Sequence, residues 1–449
     1  MVCSGPRGTI GPMSPSRPLP AVFLVALLLV VGCGTTTPTG SIAPSPSPTA
    51  PASGPPPTGP TSSGPASASP AASADTSGVY EAIEAQVVAI RGLEPKGPVE
   101  RGVLDEAELR ARITALFDKD SPPEIVAANE RLYKALGLVP DEADLRGLVL
   151  DMLSGGVAGY YDDEEKQLFV VSRTGSLGAS EKITFAHEFT HALQDQHFSA
   201  FTDQREWRDQ SDRLFARQAV YEGDATLLMS LWALANFTQA DVLDYLKSAN
   251  DPTQQEQLDR LPAILREQLL YPYTRGLLFI QEIQLEGGWA AVDEMYERLP
   301  LSTEQILHPH KYRTNEKPIP VDIPDDLAAR MGNGWKASLE DTFGEFQTDI
   351  WLREGGVATA DAALGSAGWG GDRLVVLEGP GDEWAVVIAT EWDSATEARE
   401  FEAAATTAIK KASGSARILP GGGGTARWVV IASGDATLAR LATLVGPAG

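Results

Sequence analysis

The stretch Thr184-Phe-Ala-His187-Glu188-Phe-Thr-His191-Ala-Leu-Gln-Asp195-Gln-His197 restricts this chain more than any other. Phe185, Ala186, Phe189, Ala192 and Leu193 supply the apolar contacts that would bury such a segment as a helix. Residues four apart lie on one helical face, so the His187 and His191 imidazoles point the same way and can hold one metal ion. Glu188 adjoins the first imidazole, where its carboxylate reaches a water on that ion without becoming a ligand. The chain has five histidines. Two of them placed this way around a glutamate are a specific signal for a divalent metal. The plainer alternative is a buried helix whose imidazoles make ordinary hydrogen bonds.

Two histidines do not complete a site, because catalytic zinc takes three protein ligands and keeps a further position open. Downstream candidates are His197, Glu206, Glu222, Asp224, His308 and His310. His197 lies six residues beyond His191, on the wrong face of the same helix. Glu222 is preferred. It follows His191 by 31 residues on a helix of its own, and Gly223 and Ala225 are small enough to let that helix pack closely on the first. A solvated acid on a long helix is the alternative.

The opening of the chain has a different character. Ala21 to Val31 is an unbroken apolar run of 11 residues, preceded by Arg7 and Arg17 and by no acid. A membrane span needs about 20 such residues, so the run reads as the core of an export signal. It ends in Leu29-Val-Val-Gly32-Cys33, which resembles the lipobox of bacterial lipoproteins. That resemblance implies cleavage before Cys33 and lipidation of Cys33, with residues 1–33 as the signal. The protein is then exported and lipid-anchored to the cell membrane, facing the extracytoplasmic side. An ordinary secretory signal cleaved nearby is the alternative. Cys3, the only other cysteine, leaves with the signal, so no disulfide framework is available.

Residues 34–77 are almost wholly Thr, Pro, Ser, Ala and Gly, with Asp75 the single charge, and read as a disordered linker. Of 36 basic and 61 acidic residues, only Arg7, Arg17 and Asp75 precede residue 78, which leaves 34 basic against 60 acidic, a net −26, on the rest. That excess argues against nucleic acid as a partner and against docking on anionic lipid.

The remainder reads as mainly α. Helical spacing predicts Glu81–Arg91, Asp105–Phe117, Pro122–Leu136 and Asp141–Leu153, with a short strand near Val99–Leu104. Two β-prone runs flank an acidic turn between Val157 and Val171, a hairpin signal just upstream of the histidine helix. Helices then follow at Arg208–Phe237, Ala240–Lys247, Gln254–Gln268, Tyr273–Leu285, Trp289–Leu299 and Leu339–Arg353. From about Gly355 the order ββαββα suggests a small α+β module, so the expected domains are 78–355 and 356–449. The module shows no chemical motif, and a structural or partner-facing role is its default.

The His187-Glu-x-x-His191 pair followed by Glu222-Gly-Asp-Ala resembles the gluzincin metallopeptidases. The resemblance implies a zincin-like metallopeptidase domain binding zinc through His187, His191 and Glu222, with Glu188 as catalytic base and a peptide or protein as substrate. In such enzymes an edge strand upstream of the metal helix pairs with the substrate backbone, although a purely structural hairpin fits the sequence equally well. One departure stands out: four residues after the ligand Glu the family carries an Asp that buttresses a ligand histidine, and Thr226 is found here. Asp195 or Asp224 is expected to orient a histidine instead. A tetrahedral oxyanion needs a donor besides the metal. His308, Tyr271, Tyr273, Arg275, Tyr312 and Tyr160 are available, and His308 is the first choice because histidine is scarce here.

The phrase from Ala186 to His197 is also similar to a group of bacterial secreted proteins of unassigned activity, and this likeness extends through Glu222 and Ser302–Tyr312 to Gly368–Arg373. The expectation is a zinc-dependent peptidase using a Glu-activated water on the metal. The competing expectation is a non-catalytic, zinc-stabilised binding protein of the cell envelope.

Overall fold

A computed structural model describes residues 77–156, 159–171, 177–202, 207 and 209–445. The expected signal, Cys33, the linker up to residue 76, and the candidate ligand Glu206 lie outside the described residues.

The first part is built from α1 (Ser77–Arg91), β1 (Glu100–Leu104), α2 (Glu106–Asp120), α3 (Pro123–Leu136) and α4 (Leu145–Gly156). Local chemistry sets the ends. Asp105 and Glu108 close a capping box on α2, and Gly137 ends α3 at φ 73°. The expected hairpin is β2 (Gly159–Asp162) and β3 (Gln167–Val171). Its acidic turn is held by the Asp162 carboxylate, which accepts the Glu164 and Glu165 amides at 3.0 and 2.8 Å. The sheet order is β1-β3-β2, with β1 parallel and β2 antiparallel to β3.

The histidine segment forms α5 (Ala179–Phe198), buried without a break from Ile183 to Asp195. After it come α6 (Ser211–Asn236), α7 (Gln239–Ala249), α8 (Pro252–Asp259) and α9 (Ala263–Glu297). The sequence predicts helix breaks near Gln268–Tyr273 and again near Gly287. Only the second occurs, at Gly288 with φ 67°, and Pro272 sits inside a continuous helix. Tight packing overrides the proline. A Cβ on Gly276 would lie 2.1 Å from the Ala219 carbonyl oxygen, so α9 is clamped against α6 one turn after Pro272.

Short helices α10 (Thr303–Leu307), α11 (Pro309–Arg313) and α12 (Leu327–Met331) lead to β4 (Lys336–Asp341), α13 (Gly344–Glu354), α14 (Thr359–Ser366), β5 (Trp369–Glu378), β6 (Trp384–Trp392), α15 (Ala395–Ala408), β7 (Ser415–Pro420), β8 (Ala426–Ala432) and α16 (Asp435–Val445). The predicted ββαββα order is present from β5 to α16. The single helix expected over Leu339–Arg353 is instead a strand, a tight turn and a helix. Pairing of β4 with β5 and a left-handed Gly344 (φ 77°) decide the matter against helical spacing.

The five-stranded sheet runs β4-β5-β6-β8-β7, antiparallel throughout. Alternate residues face opposite ways: Leu374 and Val376 join the main core with α3, α13 and α15, while Val375 and Leu377 meet α12 and α16. The module therefore starts before the expected boundary at 356, and its inner face shares one core with the helical part.

Three buried aspartates cap helices on neighbouring elements, and Asp341 thereby joins the module to the helical part. Asp341 accepts the Ser211 amide at the start of α6 at 2.7 Å, and Asp372 accepts the Phe343 and Gly344 amides at the start of α13 at 2.7 and 2.6 Å. Asp212 accepts the Thr303 amide at 3.2 Å and its hydroxyl at the start of α10. Burial, with Asp372 and Glu345 close by, pushes Asp212 up to about 8 against the pull of the Thr303 bonds.

Two outcomes follow. Gly276→Ala should destabilise the fold by on the order of 3 kcal/mol, since neither backbone can yield, and urea unfolding measures it. Between about pH 4 and 8 the native Asp212 keeps a proton that an unfolded Asp has released. Stability should therefore fall as pH rises through that window, and Asp212→Asn should flatten the dependence of the urea midpoint on pH.

Candidate metal centre

His187 and His191 project from one face of α5 with their rings edge-on, centroids 4.7 Å apart at 87°. Their Nε2 atoms are 3.0 Å apart. Glu222 enters from α6 and places Oε2 3.0 Å from His187 Nε2 and 3.5 Å from His191 Nε2. Of the candidate third ligands, the structure brings Glu222 into this triangle. The close approach attributed to Gly223 serves another contact: a Cβ there would lie 2.4 Å from the Gly276 carbonyl of α9, not against α5.

The remaining sequence candidates fall elsewhere. His197 Nε2 bonds the Glu94 carbonyl at 2.7 Å, and His310 is exposed. His308 Nε2 pairs with Glu345 at 2.8 Å, close to Asp212. Asp212 precedes Glu222 by ten residues on α6, which is about 15 Å of helix. His308 is therefore not brought to the triangle. The Tyr271 hydroxyl donates to the Thr303 carbonyl, that of Tyr312 to the Arg298 carbonyl, and that of Tyr160 accepts from Arg112. Arg275 is exposed. The candidate donor that lies against the site is Tyr273, partly exposed, its ring 6.1 Å from that of His187.

Of the two orienting aspartates, Asp195 accepts the Tyr161 hydroxyl at 2.7 Å and Lys166 Nζ at 2.5 Å and touches neither ligand histidine. Asp224 reaches His191 through Gln194. His191 Nδ1 lies 2.9 Å from Gln194 Oε1, and Gln194 Nε2 donates to Asp224 at 3.2 Å and to the Tyr221 carbonyl at 3.0 Å. Sequence reasoning missed Gln194, although its place three residues after His191 puts it beside that ring. It also missed Arg91, fully buried at the end of α1, which grips both Asp224 oxygens at 3.0 and 3.1 Å and Asp293 at 2.6 Å. Thr226 is buried, and its hydroxyl has no hydrogen-bond partner.

The triangle fits a metal on two counts. Its edges of 3.0, 3.0 and 3.5 Å bracket the ~3.3 Å between ligand atoms of a tetrahedral zinc with bonds of about 2.0–2.1 Å. The charge balance also fits. His187, Glu188, His191 and Glu222 are 1, 0, 2 and 2 % exposed, and beside buried Glu188, Glu222 and Asp224 the buried Arg91 pairs with Asp224. A buried excess of negative charge is costly unless a cation or protons offset it.

As protein groups alone, these side chains achieve balance with protons. Burial raises Glu188 to about 8, helped by Glu222 and opposed by His191 and the Tyr161 amide. Neither Glu188 oxygen has a well-formed hydrogen bond. Burial works against a charged His191, but Glu222 outweighs it and the net is a rise to about 9. Burial likewise opposes a charged Glu222, and the two imidazoles overcome it, lowering that carboxylate to about 2. Burial leaves His187 below its usual value. A second acidic group, Glu304, Glu316 and Asp393, does not compete for a cation. The Lys311 ammonium already sits among them at 2.6, 2.7 and 2.6 Å.

Residues 331–443 match a family model described as a domain of unknown function (DUF8575), a stretch that holds β4 to β8 and most of α16. No curated protein matches the chain. No solved structure matches it.

A divalent ion entering the triangle at pH 7 should expel roughly one to two protons, those of His191 and Glu188. Affinity should then rise with pH and level off above about pH 9, where His191 has already lost its proton. Calorimetry in buffers of different ionisation enthalpy counts the protons released.

Proposed function

We propose that this protein is an extracytoplasmic zinc metallopeptidase of the gluzincin type, lipid-anchored through Cys33. The observation that carries this reading is the convergence of His187, His191 and Glu222 within 3.5 Å beside the buried carboxylate of Glu188. His187, His191 and Glu222 would hold zinc, which would supply Lewis acidity and bring the pKa of a water from about 15.7 to roughly 7. Glu188 takes the proton of the attacking water and hands it to the departing amine. A carboxylate whose burial already favours the protonated form is suited to that second transfer. Tyr273 replaces His308 as the donor to the developing oxyanion, because its ring lies against His187.

A zincin-like fold is supported by the mainly helical shell and by β2. That strand lies at the sheet edge, where a Cβ on Gly159 would come within 2.9 Å of Thr184 and 3.5 Å of Glu188 on α5. An edge strand so close to the base supports an extended peptide as substrate, since such an edge adds a strand readily. The net −26 of the chain after residue 77 supports a partner other than nucleic acid.

One observation favours the second reading, a zinc-stabilised envelope protein without turnover. All four central side chains are at most 2 % exposed, as in a structural metal site. Against it stand the count of three ligands, where structural zinc takes four, and a glutamate that such a site would not need.

Glu188→Gln decides between them. Wild-type protein should bind about one zinc per chain and cleave members of a diverse peptide library in a chelator-sensitive way. The variant should keep its zinc and lose cleavage by about 10²–10⁴-fold. Undiminished cleavage would remove Glu188 from the mechanism, and a wild type that holds zinc yet cleaves nothing would favour the structural reading.

A further inference from the structure

We infer that Gln194, Asp224 and Arg91 form a positioning relay that fixes which nitrogen of His191 faces the metal. The inference rests on the metal reading above and concerns how this chain holds one ligand.

The argument is one of donors and acceptors. Gln194 Nε2 lies 3.0 Å from the Tyr221 carbonyl oxygen and 3.2 Å from Asp224 Oδ2. Both are acceptors, so the amide must present its NH₂ to them. Its oxygen is thereby turned to His191 Nδ1, 2.9 Å away. An amide oxygen only accepts, so the proton of a neutral His191 must sit on Nδ1. The lone pair is left on Nε2, the atom aimed at His187 and Glu222. Reversing the amide would put a donor against Nδ1 and a proton on Nε2, and no metal could then bind there.

Asp224 holds the amide in the correct sense only while it stays an acceptor. Arg91 secures this by occupying both oxygens, and the Tyr296 hydroxyl adds a third donor at 2.7 Å. Arg91 is itself fixed by Asp293 at 2.6 Å and by the Trp289 ring 4.6 Å beneath it. A fully buried arginine is a large desolvation cost to accept for stability alone. Its place at the end of this chain of bonds gives it a definite task. The relay also takes over what the gluzincin pattern assigns to an Asp at the position held here by Thr226, though it braces His191 through an amide from the same helix.

The test uses zinc affinity of the full chain, with no dependence on turnover. Gln194→Met, close in volume but without hydrogen bonds, should weaken zinc binding by about 10–100-fold. Asp224→Asn, which removes one of the two acceptors that orient the amide, should weaken binding in the same direction but by less. The double variant should be no weaker than Gln194→Met alone, because Asp224 acts through Gln194. Gln196→Leu removes a similar amide from the same helix, bonded to Lys96 and Gly97, and should leave zinc affinity unchanged.

In ¹⁵N spectra of the zinc-loaded wild type, His191 should show a protonated Nδ1 protected from exchange, and Gln194→Met should lose that protection. If Asp224→Asn fails to fold, the affinity and the ¹⁵N signature of Gln194→Met carry the test. Wild-type binding in Gln194→Met, or additive losses in the double variant, would overturn the relay while leaving the metal centre intact. Failure of the wild type to take up zinc would instead sink the metal centre, and the relay with it.

Discussion

A helix that carries two imidazoles and a carboxylate through a hydrophobic core obeys one rule: each charge on it must be met by another buried group. α5 is buried from Ile183 to Asp195, with Phe185, Phe189 and Leu193 on its other sides. No solvent reaches His187, His191 or Glu188, so their neighbours set their protonation. Glu222 answers the imidazoles, and the Arg91–Asp224 pair, bridged by Gln194, reaches the far side of His191. The shell still holds more carboxylates than fixed cations. That residual charge, with the histidine motif, supports the proposed divalent ion.

The positions of these groups depend on α6, and α6 is held along its length by different means. At its middle Gly223 and Gly276 let the α6 and α9 backbones meet with no side chain between them, so Glu222 is carried on a contact that cannot slide. At its start Asp341, from the edge strand β4, caps the first turn. The stretch similar to a domain of unknown function is thus joined to the helix bearing Glu222 by charge-assisted hydrogen bonds and by a continuous core. Its sheet is a wall of the same body, with α3 from the first part packed on its inner face.

What could be read in the sequence follows from range. Helix spacing marked the pairing of His187 with His191, and the carboxylate that joins them, Glu222, was among six candidates with helix context in its favour. Strands β5 to β8 were legible because β-branched runs and glycine turns are local signals. The rest was settled by contacts between distant residues. Arg91 and Asp224 are 133 positions apart, and nothing around Arg91 marks it as buried. Leu339–Arg353 has helical spacing, yet β5 claims its first residues as a strand. Scarcity drew attention to His308, but scarcity carries no information about place, and Glu345 holds that ring elsewhere. Gly223 was noticed for the right property and assigned the wrong neighbour, since a small residue shows that something comes close without showing what.

The two ligand histidines are not held alike, and the difference has a consequence. His191 is braced at Nδ1 by an amide whose own orientation is fixed twice over. His187 Nδ1 is buried with no hydrogen-bond partner, and the Thr226 hydroxyl, at the position where an aspartate would be expected to buttress a ring, has none either. His187 is held by Glu222, 3.0 Å from its Nε2, and by packing, with the His191 ring edge-on at 4.7 Å and the Tyr273 ring at 6.1 Å. A ring bonded at one nitrogen is less constrained than one bonded at both, and burial leaves His187 below its usual pKa. Tyr273, the ring beside it, is partly exposed. Hydrogen bonding around the triangle is therefore denser on the side of Gln194 and Arg91 than on the side of Tyr273.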